Sequence, residues 1–437
     1  MTATAERLRR AWAVPQKRPE LLTAAYICIM LGIFPLIAGI HGYRDITAAK
    51  YTAFLVFTCA YLMALAAALL RRRRCCGSMW ITIDWPQRLI LVYAGITLLS
   101  AIFSSYPQTV WLGSGRFEGW LTLAAYLAVF LAVSCCGRFR PLYIYVFAAA
   151  VLVNDIIAVL QFMGLNPLWL YPHGYDYYGG NVAYNGEFLG TIGNSGMLAA
   201  FLCLAIPAFV CYFIRRCRED RYAWAVLAVA LLSVGVLLRS AVLAGVVGLA
   251  AVCVVLPFLL LPSRKKCLLW LVIVILLLLF LLLFLWFYQG ESGPLYEASA
   301  LLHGNADDSF GSGRVRIWRE SAALIPETPW LGGGPDTLKD RLQLTFVSDD
   351  RQTIVDTAHC DYLNIAVNTG LPSLAVYLAA LLFSAALWGK RRRNGAVLIC
   401  GAAVFCYCVQ VAFSFSICIT APLFWLFWGL FCAAARK

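Results

Sequence analysis

The chain alternates long apolar runs with short polar connections over most of its 437 residues. About 20 apolar residues at a rise of 1.5 Å each are needed to cross a hydrocarbon core of roughly 30 Å. Twelve runs approach or reach that length. They are residues 21–40, 51–70, 89–104, 120–136, 142–163, 192–214, 222–238, 241–261, 267–288, 362–388, 396–413 and 417–435. The pattern predicts an all-α polytopic membrane protein with about twelve transmembrane helices.

One long polar segment, residues 289–358, separates the ninth predicted helix from the tenth. Within it, residues 312–325 place apolar side chains at helical spacing between Arg and Glu, which indicates an amphipathic helix. A break follows, and residues 337–346 are interpreted as a second short helix. A protein that holds one large polar segment on one side of a bilayer commonly carries out its chemistry there. We therefore expect the functional residues in or next to this segment.

Composition and charge define the class of protein and its orientation. The chain is 62% hydrophobic and 13% charged, which excludes a soluble domain of this size. In the twelve-helix arrangement one side holds 25 of the 35 Lys and Arg residues, and the other side holds 17 of the 22 acidic residues. The positive-inside rule then predicts cytoplasmic termini and an extracytoplasmic loop at residues 289–358. The net charge of +13 reflects this topology, so no nucleic-acid partner is expected.

The remaining composition points to one integral membrane domain over residues 1–437. The first apolar run is too long for a cleavable signal peptide, and the connections are too short for a nucleotide-binding domain. The 17 cysteines lie mostly in predicted helices or at their cytoplasmic ends, which indicates packing residues without a disulfide framework or a zinc site. No cofactor and no metal are expected.

Two charged residues fall in or beside predicted helices, where charge is unfavourable. Arg239 lies at a tight turn between the seventh and eighth helices or just inside the membrane. It is either a turn residue that reaches the interface or a group that binds an anion at the membrane surface. Asp155 is either the partner of a buried Arg or a helix-packing residue together with Asn154.

Three arginines lie close together in the sequence GSGRVRIWRES: Arg314, Arg316 and Arg319. Guanidinium groups bind phosphate oxygens in pairs and stay charged. At a membrane surface such a cluster suits a diphosphate group. The alternative is a solvated helix face with Glu320 as an ion-pair partner, which we favour for Arg319.

His359 lies where the polar segment returns to the membrane, in the sequence DTAHCDYLN. A neutral imidazole accepts a proton from a hydroxyl group. Its position after the arginine cluster, with Asp356 and Asp361 close by, makes it either a catalytic base or a structural histidine, and the residues alone do not decide between the two. The other histidines have weaker contexts: His41, His173 and His303.

Taken together, these stretches resemble the O-antigen ligase and polysaccharide polymerase family of bacterial membrane glycosyltransferases. The resemblance is strongest over residues 237–382, and it rests on three sequences, LLRSAVLAGVVGLAA, GSGRVRIWRESAALIPETPWLGGGPDTL and AHCDYLNIAVNTGLPSLAVYL. Weaker similarity extends to RFEGWLTLAAYL, to TIGNSGMLAAFLCLAIP and to the lysine of AAKYTAFL. One departure concerns Cys360, which follows the histidine where the family often has Asn.

The resemblance implies a metal-independent, inverting transfer of a glycan from an undecaprenyl-diphosphate-linked donor to a hydroxyl of a glycan, lipid or protein acceptor. It would take place at the outer face of the bacterial cytoplasmic membrane, in cell-surface polysaccharide assembly. It also implies catalytic roles for Arg239, Arg314 and His359. Additional substrate-binding residues are expected to be Lys50, Arg116, Glu118, Asn194, Arg316 and Asp361. Both ligases and polymerases fit the resemblance.

Two other classes of protein compete with this interpretation. A transporter or flippase of polyprenyl-linked glycans would often show internal repeats and a binding site at the membrane midplane, and the sequence shows no clear repeat. A membrane scaffold would leave Arg239 and Asp155 unexplained. The concentration of polar residues in one outer segment favours the enzyme.

Overall fold

A computed structural model describes residues 17–76, 83–171, 189–348 and 351–436. Nine helices in these ranges are long and apolar enough to cross a membrane. They are α1 (Arg18–Gly32, continued by a 3₁₀ turn to Leu36), α2 (Ile46–Cys76), α3 (Trp85–Ile102), α5 (Pro141–Phe162), α6 (Ser195–Arg216), α8 (Leu243–Leu260), α9 (Arg264–Trp286), α14 (Leu371–Lys390) and α15 (Gly395–Gln410).

Three further apolar helices are shorter: α4 (Trp120–Cys136), α7 (Ala223–Arg239) and α16 (Ala421–Ala435). They coincide with the fourth, seventh and twelfth predicted transmembrane helices. The predicted helical class is therefore confirmed, with nine candidate membrane spans and one short β hairpin in the described ranges, and twelve spans stay a prediction. His173, one of the histidines with weaker context, lies outside the described residues.

The centre of the bundle consists of α6 and α16, which pack against α15 and α4. In the apolar stretch of α6, 83% of the residues are buried, whereas only 6% of the residues are buried in that of α9. α6 contains small residues such as Gly196, Ala200 and Ala205, which let neighbouring helices approach closely. α9 is dominated by Leu, and its main contacts among the described residues are with α8 and with the short helix that follows it.

Hydrogen bonds between helix ends gather the arginine-rich connections at one end of the bundle. Arg140 pairs with Glu20 at 2.7 Å, Arg215 donates to the Arg392 carbonyl at 2.8 Å, and Arg436 pairs with Asp84 at 2.9 Å. We call this the arginine-rich end, defined by Arg88, Arg140, Arg215, Arg392 and Arg436. The helices α3, α14 and α16 run from it to the opposite end, roughly 20–30 Å away at 1.5 Å per residue.

The segment between α9 and α14 folds into short elements. These are α10 (Pro294–Leu302), α11 (Phe310–Ala323), α12 (Leu338–Leu342), an antiparallel hairpin of β1 (Thr345–Ser348) and β2 (Arg351–Ile354), and α13 (Asp361–Thr369). Part of it is anchored to the bundle. Ser100 Oγ and Ser104 Oγ of the α3 end donate to the carbonyls of Leu331 and Gly333, both at 2.5 Å. The polar segment is thus packed onto the helix ends over part of its length.

The structure corrects the helix predicted at residues 362–388. It is divided into α13 and α14 at Gly370, whose φ is +88°. A Cβ at this position would lie 2.2 Å from the Trp330 carbonyl oxygen, so only glycine allows the returning chain to approach. The apolar pattern could not reveal this break, because both helices carry apolar residues.

Three other boundaries differ from the prediction. The helix predicted at 417–435 begins at Ala421, because Ser414–Thr420 forms an irregular connection. The short helix predicted at 337–346 ends at Leu342, and Thr345 begins a strand. The amphipathic helix predicted at 312–325 is regular only from Arg314, because residues 311–313 adopt left-handed conformations. In each case tertiary contacts override local periodicity.

Candidate functional site

Three segments that are distant in sequence meet at the end of the bundle opposite the arginine-rich end. They are the connection 103–119 between α3 and α4, the sequence 356–361 that leads into α13, and the connection 414–420 between α15 and α16. Each follows or precedes a helix that fixes its position. The candidate functional site lies where these segments touch.

An ion pair joins the first two segments. Arg116 Nε lies 2.5 Å from Asp356 Oδ2, with 31% and 23% of the two side chains exposed. The Arg116 guanidinium also lies over the Phe415 ring at 4.5 Å, which brings in the third segment. The pair therefore orients a guanidinium that is only partly solvated, and one face of it is covered by an aromatic ring.

His359 lies beside this pair, in a left-handed backbone conformation with φ of +47°. Its imidazole contacts the Phe415 ring edge-on, with the centroids 5.0 Å apart. Burial, together with the charges of Arg314 and Arg116 and against that of Asp356, lowers the pKa of His359 to about 4. The imidazole is therefore neutral at physiological pH and lies within the electrostatic influence of two guanidinium groups.

Arg314 begins the regular part of α11, directly after the left-handed residues Gly311, Ser312 and Gly313. The Gly311 amide donates to Glu297 Oε2 at 2.9 Å, which ties this turn to α10. Burial lowers the pKa of Arg314, with the Glu297 charge acting in the opposite direction. Within the described ranges, its guanidinium has no hydrogen-bonded partner and no ion pair within 4.0 Å. Arg314 is thus a partly buried cation whose donors are available for an anionic ligand.

A cavity of about 100 Å³ lies next to the ion pair and is rich in carboxyl groups. Burial is the main cause that raises the pKa of both Asp336 and Asp361 to about 6. Burial and the Asp336 charge raise the pKa of Glu118 well above its usual range. Aromatic rings complete the lining, among them those of Tyr93, Tyr126 and Trp425.

Backbone amides hold these carboxyl groups in place. Ser114 N donates to Asp336 Oδ2 at 2.7 Å, and Cys418 N donates to Glu118 Oε1 at 2.6 Å. Ser416 N lies 3.3 Å from Asp361 Oδ1. The donors come from the loop 103–119 and the connection 414–420, so the cavity depends on both segments. The arrangement can bind hydroxyl groups through the carboxyl oxygens and can pack sugar rings against the aromatic side chains.

Of the predicted site residues, the structure brings together His359, Arg314, Arg116, Glu118 and Asp361. Lys50 is fully buried, and its Nζ donates to the Pro35 carbonyl at 2.8 Å. Asn194 caps α6 by accepting the Met197 amide at 3.1 Å. Both contacts are structural, and a substrate role for either stays a prediction.

The remaining arginines have distinct surroundings. Arg316 lies over the Phe346 ring at 5.7 Å, and Arg239 lies over the Phe162 ring at 4.0 Å. Arg239 ends α7 at a three-residue turn before α8, as the sequence predicted. Arg319 pairs with Asp308 at 2.7 Å and contacts Glu320 at 3.5 Å, which supports the predicted solvated role.

Asp155 packs helices together with Asn154, and this favours the helix-packing interpretation over a pairing with a buried Arg. Ser233 Oγ of α7 donates to Asp155 Oδ2 at 2.6 Å, and Asn154 Nδ2 lies 3.3 Å from Oδ1. Its carboxylate thus joins α5 to α7 inside the bundle.

Sequence reasoning missed Asp336, Phe415 and Ser416 as parts of the site. Asp336 follows GGGP, and its positive φ of 59° could have been suspected from the glycine-rich turn. The sequence SFS at residues 414–416 falls in the gap between the predicted helices at 396–413 and 417–435. Two serines in an otherwise apolar region were the available signal.

A comparison with known protein families finds a match that includes the polar segment between α9 and α14. The family described as O-antigen ligase matches residues 228–378. Residues 228–378 thus match an O-antigen ligase domain. The predicted family resemblance is thereby confirmed, and the predicted core of residues 237–382 overlaps the matched range. None of the curated proteins matches the chain.

The O-antigen ligase domain contains Arg239, Arg314 and His359, whereas Arg116 and Glu118 lie before it and the connection 414–420 lies after it. The site is therefore built from the domain and from both flanking parts of the chain. Together with the apolar helices, the domain makes this a multi-pass membrane protein that processes glycans and resembles ligases and polymerases of lipid-linked substrates. Among the described residues, no group of three or more His, Cys, Asp or Glu side chains is arranged to hold a metal ion.

Proposed function

We propose that this protein is an inverting glycosyltransferase of the O-antigen ligase type. It transfers a glycan from an undecaprenyl-diphosphate-linked donor to an acceptor hydroxyl at the outer face of the bacterial cytoplasmic membrane. The observation that carries the proposal is the neutral His359 imidazole beside Arg116 and Arg314, next to a carboxyl-lined cavity. This combination supplies a base, cations for a leaving diphosphate and a place for an acceptor sugar.

Arg314 and Arg239 bind the diphosphate in this proposal, and Arg116 and Arg316 contribute additional positive charge. A polyprenyl donor keeps its tail in the lipid and its diphosphate at the interface, where these side chains would meet it. Arg314 is the best-supported of them, because its partly buried guanidinium lacks a hydrogen-bonded partner among the described residues. Guanidinium groups aimed at the diphosphate stabilise the charge that develops as the sugar–phosphate bond breaks.

His359 accepts the proton of the acceptor hydroxyl. The hydroxyl oxygen forms a bond to the anomeric carbon, and the bond from that carbon to the phosphate oxygen breaks. The electron pair leaves with the undecaprenyl diphosphate, and the proton stays on the imidazole until it is released to water. A bound diphosphate offsets the charges of Arg116 and Arg314, and this raises the pKa of His359 when a base is needed. Asp361 and Asp356 are the next candidates for the base.

Purified protein in liposomes, supplied with an undecaprenyl-diphosphate glycan and candidate acceptors, tests the proposal. We expect release of undecaprenyl diphosphate together with a glycosylated acceptor of inverted anomeric configuration. Movement of the intact donor between leaflets without cleavage would instead favour a flippase. The break between α13 and α14 at Gly370 is the feature that such a transporter would use.

The proposed orientation, with cytoplasmic termini and an outer segment 289–358, has a separate test. Asn305 is exposed in the connection between α10 and α11. In a cysteine-depleted background, Asn305→Cys should react with an impermeant maleimide in intact cells. Reaction only after the membrane is opened would place the site on the cytoplasmic face and contradict the proposal.

A further inference from the structure

A second polar cavity, of about 500 Å³, lies at the arginine-rich end, between the start of α3 and the ends of α14 and α16. The candidate site lies at the other ends of these three helices, so the two cavities are separated by the length of the bundle. The charged side chains that line this second cavity are Arg88, Arg391, Arg436 and Asp84. Three cations face one anion, and the lining therefore carries a formal charge of +2.

The internal contacts leave part of this positive charge unused. Arg436 Nε pairs with Asp84 Oδ2 at 2.9 Å, which accounts for the single carboxylate. Arg88 directs Nε to the Ile83 carbonyl at 3.2 Å, and its guanidinium lies over the Trp85 ring at 5.3 Å. Arg391 is exposed, and its side chain forms no hydrogen bond or ion pair within the described part of the chain. Donors of two arginines thus remain available at the cavity.

Gln87 provides a second, independent observation. It lines the cavity, is fully buried, and its Oε1 accepts the Asp84 amide at 3.1 Å to cap α3. Its Nε2 has no hydrogen-bond partner within the described residues. A buried amide donor without a partner is unfavourable by about 1–3 kcal/mol in general. An acceptor oxygen from a ligand would satisfy it.

The apolar side of the cavity indicates what kind of ligand carries that oxygen. Trp85 stacks on Phe383 with centroids 6.0 Å apart, and both rings are exposed on the bundle surface. Leu387 adds a further apolar side chain to the lining. In a membrane this surface adjoins acyl chains, whereas a free phosphate would have no use for it.

We propose that this cavity binds the phosphate headgroup of an anionic phospholipid. The phosphodiester accepts hydrogen bonds from Arg88, Arg391 and Gln87 Nε2, and the acyl chains lie against Trp85 and Phe383. Basic pockets between helices are a recurring way to hold such headgroups. The lipid would join α3, α14 and α16 at the end opposite the candidate site, and this role is independent of the proposed transfer reaction.

Titration of detergent-solubilised protein with short-chain phosphatidylglycerol, followed by native mass spectrometry, tests the site. We expect saturable binding of phosphatidylglycerol and much weaker binding of phosphatidylcholine. Arg391→Gln should weaken the phosphatidylglycerol affinity about five- to tenfold. Arg393→Gln is the matched control: it is exposed in the same connection, removes the same charge and does not line the cavity, so its affinity should stay unchanged.

Gln87→Glu is the sharper variant. It retains an oxygen that can cap α3 but replaces the free donor with an acceptor that repels phosphate, so binding should fall at least as much as in Arg391→Gln. Equal losses in Arg391→Gln and Arg393→Gln would reduce the effect to general surface charge and overturn the site. Competition by inorganic phosphate at the same concentration as the lipid would assign the cavity to a soluble anion and overturn the lipid proposal. Stability of each variant in size-exclusion chromatography separates loss of binding from loss of fold.

Discussion

The two ends of the helix bundle carry similar kinds of charged residues in different physical states. At the candidate site, Arg116 is paired with Asp356, and the carboxyl groups of Asp336 and Glu118 each accept a backbone amide. At the arginine-rich end, the pair of Arg216 with Glu219 is 48% and 68% exposed and lies within one helix end, and the pair of Arg140 with Glu20, which joins two helices, is also more exposed than Arg116 with Asp356. Orientation in a membrane depends on the number of positive charges at one end, whereas catalysis depends on where each charge lies. Substitutions at the two ends should therefore differ greatly in effect.

The largest difference is expected for Arg314. Arg314→Ala should lower transfer by at least about 10³-fold, because an arginine that stabilises a leaving phosphate contributes on this order. Arg314→Lys should recover little, since it offers a point charge without the planar fork. Turnover of the lipid-linked donor in liposomes is the measurement, and Arg239→Ala should also abolish it.

Arg319→Ala serves as the matched control on the same helix, because Arg319 is exposed and paired with Asp308. It should keep nearly full activity. If Arg314→Ala and Arg319→Ala are equally active, the diphosphate site has been placed wrongly.

His359→Ala should lower turnover by about 10²–10⁴-fold, the usual contribution of a general base. Binding of the donor should be nearly unchanged, because the arginines hold the diphosphate. Donor binding and turnover are measured on the same preparation, with His303→Ala as the control for general damage to the segment. His303 lies directly after α10, where its Nδ1 is 2.8 Å from the Ser299 carbonyl oxygen and its ring packs on Trp286 with centroids 4.4 Å apart, away from the candidate site. Normal turnover of His359→Ala would transfer the base assignment to Asp361 or Asp356.

The pH dependence should distinguish the free enzyme from the donor complex. In the free enzyme the pKa of His359 is lowered to about 4. The value of kcat/KM, which reports the free enzyme, should therefore fall only as the pH drops through about 4 and the imidazole becomes protonated. Bound diphosphate offsets the two arginine charges, and the profile of kcat should therefore fall at a higher pH than that of kcat/KM. Coincident profiles would argue against the diphosphate lying beside the imidazole.

Glu118 should respond more to the loss of its hydrogen bonds than to the loss of its charge. Its pKa is raised, and its oxygen accepts from Cys418 N and, at 2.9 Å, from Tyr126 Oη. Glu118→Gln retains an acceptor and should keep activity within a fewfold of wild type. Glu118→Ala leaves buried donors unsatisfied and should destabilise the fold by about 1–3 kcal/mol. Thermal unfolding in detergent compares the two, and equal destabilisation would contradict this account.

The smallest effect is expected at the arginine-rich end. Arg216→Ala removes an exposed i,i+3 pair with Glu219, and stability should change by less than about 0.5 kcal/mol. Thermal unfolding at two salt concentrations checks this. A change as large as that of Glu118→Ala would show that the two ends do not differ as described.

The apolar helices were predictable because burial in lipid and in protein both demand long apolar runs. Arg314 and His359 were predictable because they stand out in polar surroundings near the membrane. The pairing of Arg116 with Asp356 was not, since 240 positions separate them and neither local sequence names the other. The break at Gly370 was also hidden, because it depends on the Trp330 carbonyl of the returning chain. Local periodicity predicts the secondary structure of a segment, whereas the ion pair and the break depend on which distant segments pack against it.

The returning chain at residues 332–334 is bonded along α13. Gly333 N and Gly334 N donate to the carbonyls of Val367 and Asn368 at 3.2 and 2.7 Å. Residues 303–307, between α10 and α11, are by contrast fully at the surface. Length variation within the polar segment should therefore be accommodated at 303–307, where an epitope tag or a fluorescent-protein graft could be inserted. The same graft at 332–334 would break these two backbone hydrogen bonds to α13 and displace Asp361.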